Sequence, residues 1–409
     1  MLHLRSLYLA VGAASGCFFP FLVVILAGRG FGAAQIGVAT AAASVAYMSA
    51  VPVWGHLGDV TLGRTRALQV GAIGAAVVVV LFALPTPMVV AAVLVVGFSI
   101  FQSAIQPLSD ALALANVRDR DRDYARIRLL SSLSFAIVSI ACGVVYDRIG
   151  YWMTAPIFAA AAIWIAVSVI GLGGASRGHA RPPAASARRP SRLGTTGEAL
   201  ALQPRLPLVL VAIGLIYLGV LASFSYLPLR IIDLGGGPEM VALVAGISAL
   251  AEVPGMLVAG LVVSRIGLRG LFSASCVAYA ACIASWIVLD VPVAIVATRA
   301  VTGFAFGGIV VASALTIGSL LPGRLQATGQ ALYQTTAFGG AAVVANLGGG
   351  LLYASAGSAL LWGITAIAAL GAAAVGLAVF PARGAGTRPM DEAVMAIALA
   401  PEREIPLGM

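Results

Sequence analysis

Asp110, Glu252 and Arg299 are the ionisable side chains that stand deep inside long apolar stretches of this chain. Charge in such surroundings is costly, so it faces a partner, a cavity or a passing ion. Asp110 lies in Pro107-Leu108-Ser109-Asp110-Ala111-Leu112, and Glu252 in Ala251-Glu252-Val253-Pro254-Gly255. Arg128 follows Asp110 by 18 residues, within Asp123-Tyr124-Ala125-Arg126-Ile127-Arg128-Leu129. A guanidinium offers a planar fork of donors to a carboxylate or to hydroxyls. A carboxyl held away from water takes up protons more readily, the property a proton carrier needs. The chemistry available is therefore binding of a small polar or carboxylated solute by Arg128 and Asp110, with proton uptake at Glu252 or Asp110. Arg126 and Arg128 also lie near a helix end, where long side chains snorkel, so orientation alone would account for them equally well. Gln102, Gln106, Tyr226, Gln334 and Asn346 add neutral polar groups, each of which could instead hold helices together. Of these, Gln106, Tyr226 and Gln334 are taken with Asp110 and Arg128 as candidate solute-binding residues.

Other chemistries lack their residues. The histidines are His3, His56 and His179, all outside the apolar stretches, and no H-E-x-x-H, G-x-S-x-G or phosphate-loop pattern occurs. Cys17, Cys142, Cys276 and Cys282 lie in apolar runs without C-x-x-C spacing, as small packing residues do. No catalytic role, cofactor or metal is expected. Ala14-Ser15-Gly16-Cys17 has the look of a lipoprotein cleavage site. The apolar run nevertheless continues through Phe18 to Leu26, which reads as a first membrane span.

The elements that must position these residues follow from composition. Of 409 residues, 61% are hydrophobic and 10% charged, against about 25% charged in a typical soluble domain. Too few polar residues remain to coat a water-facing globule, so lipid is the main solvent. Apolar runs of about 20 residues suffice to cross a bilayer. Twelve occur: Leu7–Leu26, Ile36–Val53, Ala67–Leu84, Met88–Leu114, Ala125–Tyr146 and Tyr151–Leu172, then Leu206–Pro228, Val241–Val263, Leu271–Leu289, Val291–Leu315, Ala327–Leu352 and Ala359–Phe380. All 24 basic residues are arginine. With both termini cytoplasmic, 20 of the 24 fall in cytoplasmic tails, loops or helix ends, as the positive-inside rule requires. The net charge of +9 thus reflects membrane orientation, and nucleic acid is not an expected partner.

The chain also repeats itself. Gly143, Tyr146 and Gly150 recur as Gly350, Tyr353 and Gly357 at an offset of 207. Pro20 and Pro228 are 208 apart, and Gly63 and Gly267 are 204 apart. Duplicated six-helix halves around a central site are a transporter architecture. The expected organisation is a six-helix bundle over 1–173, a basic Pro/Ser-rich cytoplasmic linker over 174–205, a second bundle over 206–380 and a tail over 381–409. The linker composition cannot bury a core, and its arginines suit anionic headgroups.

Two motifs carry a family resemblance. Gly55-His56-Leu57-Gly58-Asp59-Val60-Thr61-Leu62-Gly63-Arg64-Thr65-Arg66 resembles the G-x-L-x-D-R-x-G-R-K/R loop of the major facilitator superfamily, with Val60 in place of the arginine after the acid. The resemblance implies a gating loop in which Gly55, Asp59, Gly63 and Arg64 take part. The Asp110 and Arg128 segments resemble the phenylpropionate permease-like branch, related to oligosaccharide and nucleoside proton symporters. In that branch the acid late in helix 4 and the second arginine opening helix 5 contact the solute. Thr302 and Ala305 stand where the lactose permease-like proteins carry the His and Glu of their proton coupling, which leaves Glu252 or Asp110 for that role here.

The sequence therefore predicts an all-α membrane protein of the major facilitator fold, with twelve transmembrane helices in two pseudo-symmetric halves of six. It is expected to be a multi-pass inner-membrane secondary transporter, monomeric, whose partners are a small-molecule solute, protons and membrane lipid. Proton-coupled uptake leads; an efflux carrier for drugs or metabolites is the alternative, and a non-transporting receptor or scaffold the third reading. Aromatic acid, sugar and nucleoside remain open as solutes.

Overall fold

The structure, a computed structural model, describes residues 1–116, 120–172, 192–322 and 325–382. The described residues are almost wholly helical and contain no strand. We number the membrane-crossing helices α1 to α12. The first half comprises α1 (Leu2–Gly28), α2 (Ala33–Thr61), α3 (Arg64–Ala83), α4 (Met88–Asn116), α5 (Arg120–Ile149) and α6 (Tyr151–Ser168). In the second half, α7 is Leu206–Asp233 and α10 is Pro292–Leu320.

The remaining four crossings come from two overlong helices. Pro238–Ser285 runs 48 residues and Thr328–Val379 runs 52. At 1.5 Å per residue the shorter would reach about 70 Å, more than twice a hydrocarbon core of about 30 Å. Each instead turns back at one glycine with positive φ: Gly267 (φ 72°) and Gly357 (φ 76°). Side-chain pairing against neighbours proves the reversal. Along α10, Gly303 meets Ser248 and Gly307 meets Glu252, a parallel run, whereas Gly308 meets Ser275 and the Trp286 indole donates to Thr298 at 2.8 Å, an antiparallel one. Along α7, Tyr217 pairs with Tyr333 at 2.7 Å and Asp233 with Tyr353 at 2.5 Å, whereas Gly219 faces Thr365 and Leu215 faces Gly371. The segments are α8 (238–266), α9 (268–285), α11 (326–356) and α12 (358–379), so the described residues form twelve helices apolar enough to cross a membrane.

All six positive-φ glycines among the described residues fall into pairs: Gly30 with Gly235, Gly63 with Gly267, and Gly150 with Gly357. Their offsets of 205, 204 and 207 residues match the sequence repeat. The same turn is thus made at the same place in each half, and only glycine enters that backbone region without steric cost. Gly267→Ala should lower the thermal midpoint more than Gly357→Ala. Both incur about 1–3 kcal/mol for holding a side chain at positive φ with ψ near 180°, a region that suits glycine alone, but only at 267 would the new Cβ run into a neighbour, the Ala382 carbonyl. Equal midpoints for the two variants would refute this.

Parallel and antiparallel contacts pack each half around its own core. Phe18, Phe82, Phe98 and Phe158 cluster in the first, with Phe18 and Phe98 centroids 4.5 Å apart. Trp286 and Trp362 meet edge-on at 5.1 Å in the second. The halves touch chiefly along two seams, α5 against α8 and α2 against α11, with a smaller contact between the end of α1 and α7. Both seams are tightest toward the end away from the termini, where Gly143 abuts Ala242 and Gly37 abuts Asn346 and Gly350.

Three local features differ from the expected uniform spans. α1 is interrupted between Phe18 and Leu22, around Pro20. α4 is interrupted after Gln102, where Pro107 lacks the N–H that would bond back to Ser103. Arg192–Leu202, inside the expected flexible linker, is helical. Residues 174–191 of that linker and the tail beyond 382 lie outside the described residues.

Candidate functional site

Four residues of α5 share one helical face by i, i+3, i+4, i+7 spacing: Arg128, Ser131, Ser132 and Phe135. Four of α8 repeat that spacing: Ala245, Ser248, Ala249 and Glu252. The faces oppose each other across the α5–α8 seam and line a cavity of ≈ 210 Å³. Ser15 of α1, Phe224 of α7, Tyr279 of α9, and Arg299 and Phe306 of α10 complete the wall. Small side chains make the approach possible. Gly143 contacts Ala242 and Gly246 contacts Ile140 beyond the cavity, so the two helices converge there and splay on the side of the termini.

The structure thus brings together Arg128 and Glu252, one from each half. Arg128 is exposed in the cavity wall, Glu252 is half-buried, and the Arg128 charge acts on the Glu252 carboxyl. Pro254, inside α8, leaves the Leu250 carbonyl without its helical donor two residues from Glu252, which loosens the helix at the cavity.

Asp110 lies apart from that cavity. It follows the α4 break by two turns and accepts hydrogen bonds from the Tyr8 hydroxyl at 2.6 Å and from Gln106 Nε2 at 2.8 Å. Among the described residues the ion pairs within 4 Å are Arg64–Asp59 and Arg230–Asp290, so Asp110 and Arg128 form no direct pair. Tyr47 of α2, half-buried, stands within electrostatic range of both. Gln334 is exposed in a second, larger cavity of ≈ 800 Å³, shared with Tyr47, Met48 and Pro107 and bordered by Thr196 of the linker helix. Both cavities lie on the termini side of the tight seams.

Tyr226 lies outside both cavities. It is fully buried at the α2–α7–α11 crossing, and its hydroxyl donates to the Asn346 carbonyl, which leaves no donor for a solute in this conformation. Asn346 itself accepts from Ser225 at 2.6 Å and donates to Ser44 at 3.3 Å, tying the halves together.

The loop motif adopts a specific turn. Leu57–Thr61 is a π-helical turn, Gly63 has φ 78°, and Arg64 Nε pairs with Asp59 Oδ1 at 2.8 Å. Both side chains are well exposed, so the pair is worth about 0–1 kcal/mol. Gly55 lies two residues before the π segment, and Gly58 packs on Leu108 of α4.

Sequence reasoning missed the serines of the cavity, Ser131, Ser132 and Ser248, although their helical spacing from Arg128 and Glu252 would have found them. Tyr8 as the partner of Asp110 had no such signal, because α1 and α4 meet only in the fold. Arg299 stood out as the mid-span base but was not placed at a site. It lines the same cavity as Arg128 and Glu252. No cluster of three or more metal-binding side chains occurs among the described residues.

Comparison with known proteins places this geometry among carriers. The family described as MFS_1 like matches residues 1–364. Maltose permease of Geobacillus stearothermophilus is 32% identical over 355 residues, which cover 84% of this chain and 86% of that protein. The putative nucleoside transporter YegT of Escherichia coli (strain K12) is 26% identical over 136 residues, 33% of this chain and 32% of that protein. Among solved structures, a mutant of the nucleoside transporter NupG superposes with a TM-score of 0.79 at 16% identity, covering 93% of this chain and 99% of its own. At that identity the likeness speaks to the fold alone.

Proposed function

Since the chain belongs to the MFS_1 like family and is a secondary transporter, we propose that it imports a small polar or carboxylated organic solute together with a proton. The observation that carries this reading is the cavity at the α5–α8 seam, where Arg128 of one half faces Glu252 of the other. A solute held there touches both halves, so it biases their relative position, as alternating access requires. The halves, 1–173 and 206–380, move as units about the linker. Arg128 binds the solute's oxygen atoms. A proton on Glu252 removes the negative charge that competes for the Arg128 guanidinium, so proton and solute bind together and leave together.

The distribution of arginines supports cytoplasmic termini in an inner membrane, and the cavities then open toward the cytoplasm, as after solute delivery. Asp110, held by Tyr8 and Gln106, lies near the same opening with Gln334, on the path a solute takes as it leaves. The Asp59–Arg64 loop closes that side when the halves rock. The protein acts as a monomer in lipid.

Glu252→Gln tests the coupling. In proteoliposomes, solute-driven alkalinisation should fall at least about tenfold in the variant, the scale expected for loss of a positioned proton carrier, while solute counterflow without a proton gradient persists. Proton movement equal to wild type would remove Glu252 from its role. Net outward movement of solute against a proton gradient would reverse the direction and favour an efflux carrier.

A further inference from the structure

We propose that Arg299, together with Arg128 across the same cavity, forms a binding site for the carboxylate of an organic monoanion, and that this is the chemical class of the solute. The proposal rests on the transport reading above and narrows it.

Arg299 is 1% exposed in the middle of α10. Its Nε donates to the Val244 carbonyl at 3.1 Å, but its Nη1 is buried with no partner. Among the described residues no carboxylate lies within 4 Å of it. The Trp286 ring, 5.9 Å from the guanidinium carbon, supplies a cation–π contact that offsets only a small part of the desolvation. An uncompensated buried charge of this kind is strongly destabilising unless something supplies its counter-ion.

The cavity shows what is missing. Arg128, Arg299 and Glu252 are its charged residues, two cations and one acid. Two cations stand against one acid, and the buried Arg299 has no carboxylate within 4 Å. A neutral sugar or nucleoside brings no charge to set against Arg299, whereas a carboxylate does, and it takes over as the cavity's negative charge when Glu252 carries the co-transported proton. Ser131 and Ser248 line the same space and suit the polar body of such a molecule, whereas the Tyr279 hydroxyl is engaged with Ser223 at 3.1 Å. At ≈ 210 Å³ the cavity is smaller than the roughly 300–1,000 Å³ of drug-sized sites, so the anion is small.

The experiment uses the full-length protein in detergent with three matched pairs: glucuronate and glucose, maltobionate and maltose, benzoate and benzyl alcohol. In at least one pair the acid should raise the thermal midpoint while its neutral partner does not. Arg299→Gln should weaken that acid's half-saturating concentration at least about tenfold, with Arg299→Lys in between because lysine keeps charge without the fork. A neutral partner that binds as well as its acid, or an Arg299→Gln protein within twofold of wild type, overturns the proposal. A ligand-free arm decides alone if no probe binds. Arg299→Met removes an unmatched charge, so the midpoint of the empty protein holds or rises; a fall of more than about 5 °C means that the guanidinium serves packing, and overturns it. Uptake of maltose without maltobionate would sink the anion site and leave the carrier reading intact. Binding of an acid with no counterflow of it in liposomes would strike the carrier reading instead.

Discussion

Arg128→Gln is expected to abolish solute binding and to leave the protein as stable as wild type. The two halves of that expectation come from one observation: Arg128 is exposed in the cavity wall and has no hydrogen-bond or ion-pair partner among the described residues. A side chain with no direct partner can be removed at little cost, since only its longer-range attraction to Glu252 is lost, and surface-like substitutions usually stay within about 0.5 kcal/mol. Its donors are therefore available to a solute. Hydrogen bonds to a charged group contribute about 1.5–3 kcal/mol, or roughly 10- to 150-fold in affinity. Removing two such bonds should push binding beyond measurable range, whereas Arg128→Lys keeps the charge and loses the fork, for a loss of about tenfold. Binding isotherms and thermal midpoints on the three proteins check both halves. A glutamine variant that binds within twofold of wild type would remove Arg128 from the site. One that loses binding only because it has melted would show a structural role instead.

Hydropathy was enough to mark twelve apolar segments that match helices of the structure, because lipid demands an apolar window for each one whatever the helices do inside the bundle. Helix ends were less legible. α5 begins at Arg120, although the apolar window opens at Ala125, since hydropathy marks the length facing lipid and a helix can continue into the polar layer. The helix at Arg192–Leu202 was hidden by the Pro- and Arg-rich composition of its neighbours, which dominates any average over the linker.

At the site, the depth of Asp110, Glu252 and Arg299 was visible as charge within apolar runs, but their partners were not. Asp110 and Arg128 sit 18 residues apart on adjacent helices, and chain spacing fixes only which helices carry them. Whether the side chains meet depends on how α4 and α5 rotate, and here the carboxylate turns to Tyr8 and Gln106. Tyr226 illustrates the converse. A tyrosine in a polar stretch of a span looks the same in sequence whether it faces a solute or a backbone carbonyl, and packing against Gly349 and Gly350 decides for the carbonyl.

Widening the far seams should open the opposite side of the bundle. At Gly37 an added Cβ would lie 2.5 Å from the Asn346 carbonyl and 3.0 Å from the Gly350 Cα, and at Gly350 it would lie 2.7 Å from the Ala33 carbonyl. At Gly143 it would strike the Ala242 Cβ and come within 3.0 Å of the Glu239 Cα. Backbone on both sides means that no rotamer change relieves the clash, so the halves must part. Overpacking of this kind costs about 1–3 kcal/mol, and the cost falls only on the conformation in which the seams are closed. A two-state equilibrium would shift by roughly 5- to 150-fold toward the conformation open on the far side. In a background stripped of the four native cysteines, a single cysteine at Ala249, in the cavity wall, reports the change. Gly37→Val and Gly143→Val should each speed its labelling by a membrane-impermeant maleimide added from the side opposite the termini. Gly97→Val is the control, since its nearest neighbour is the Val78 Cγ1 at 4.0 Å, and it should leave the rate unchanged. If the seam variants label no faster than the control, the closed glycine contacts are static packing and do not mark the moving surface. If they label faster while solute affinity from the termini side falls by the same factor, the two sides draw on one equilibrium, as linkage between alternating conformations requires.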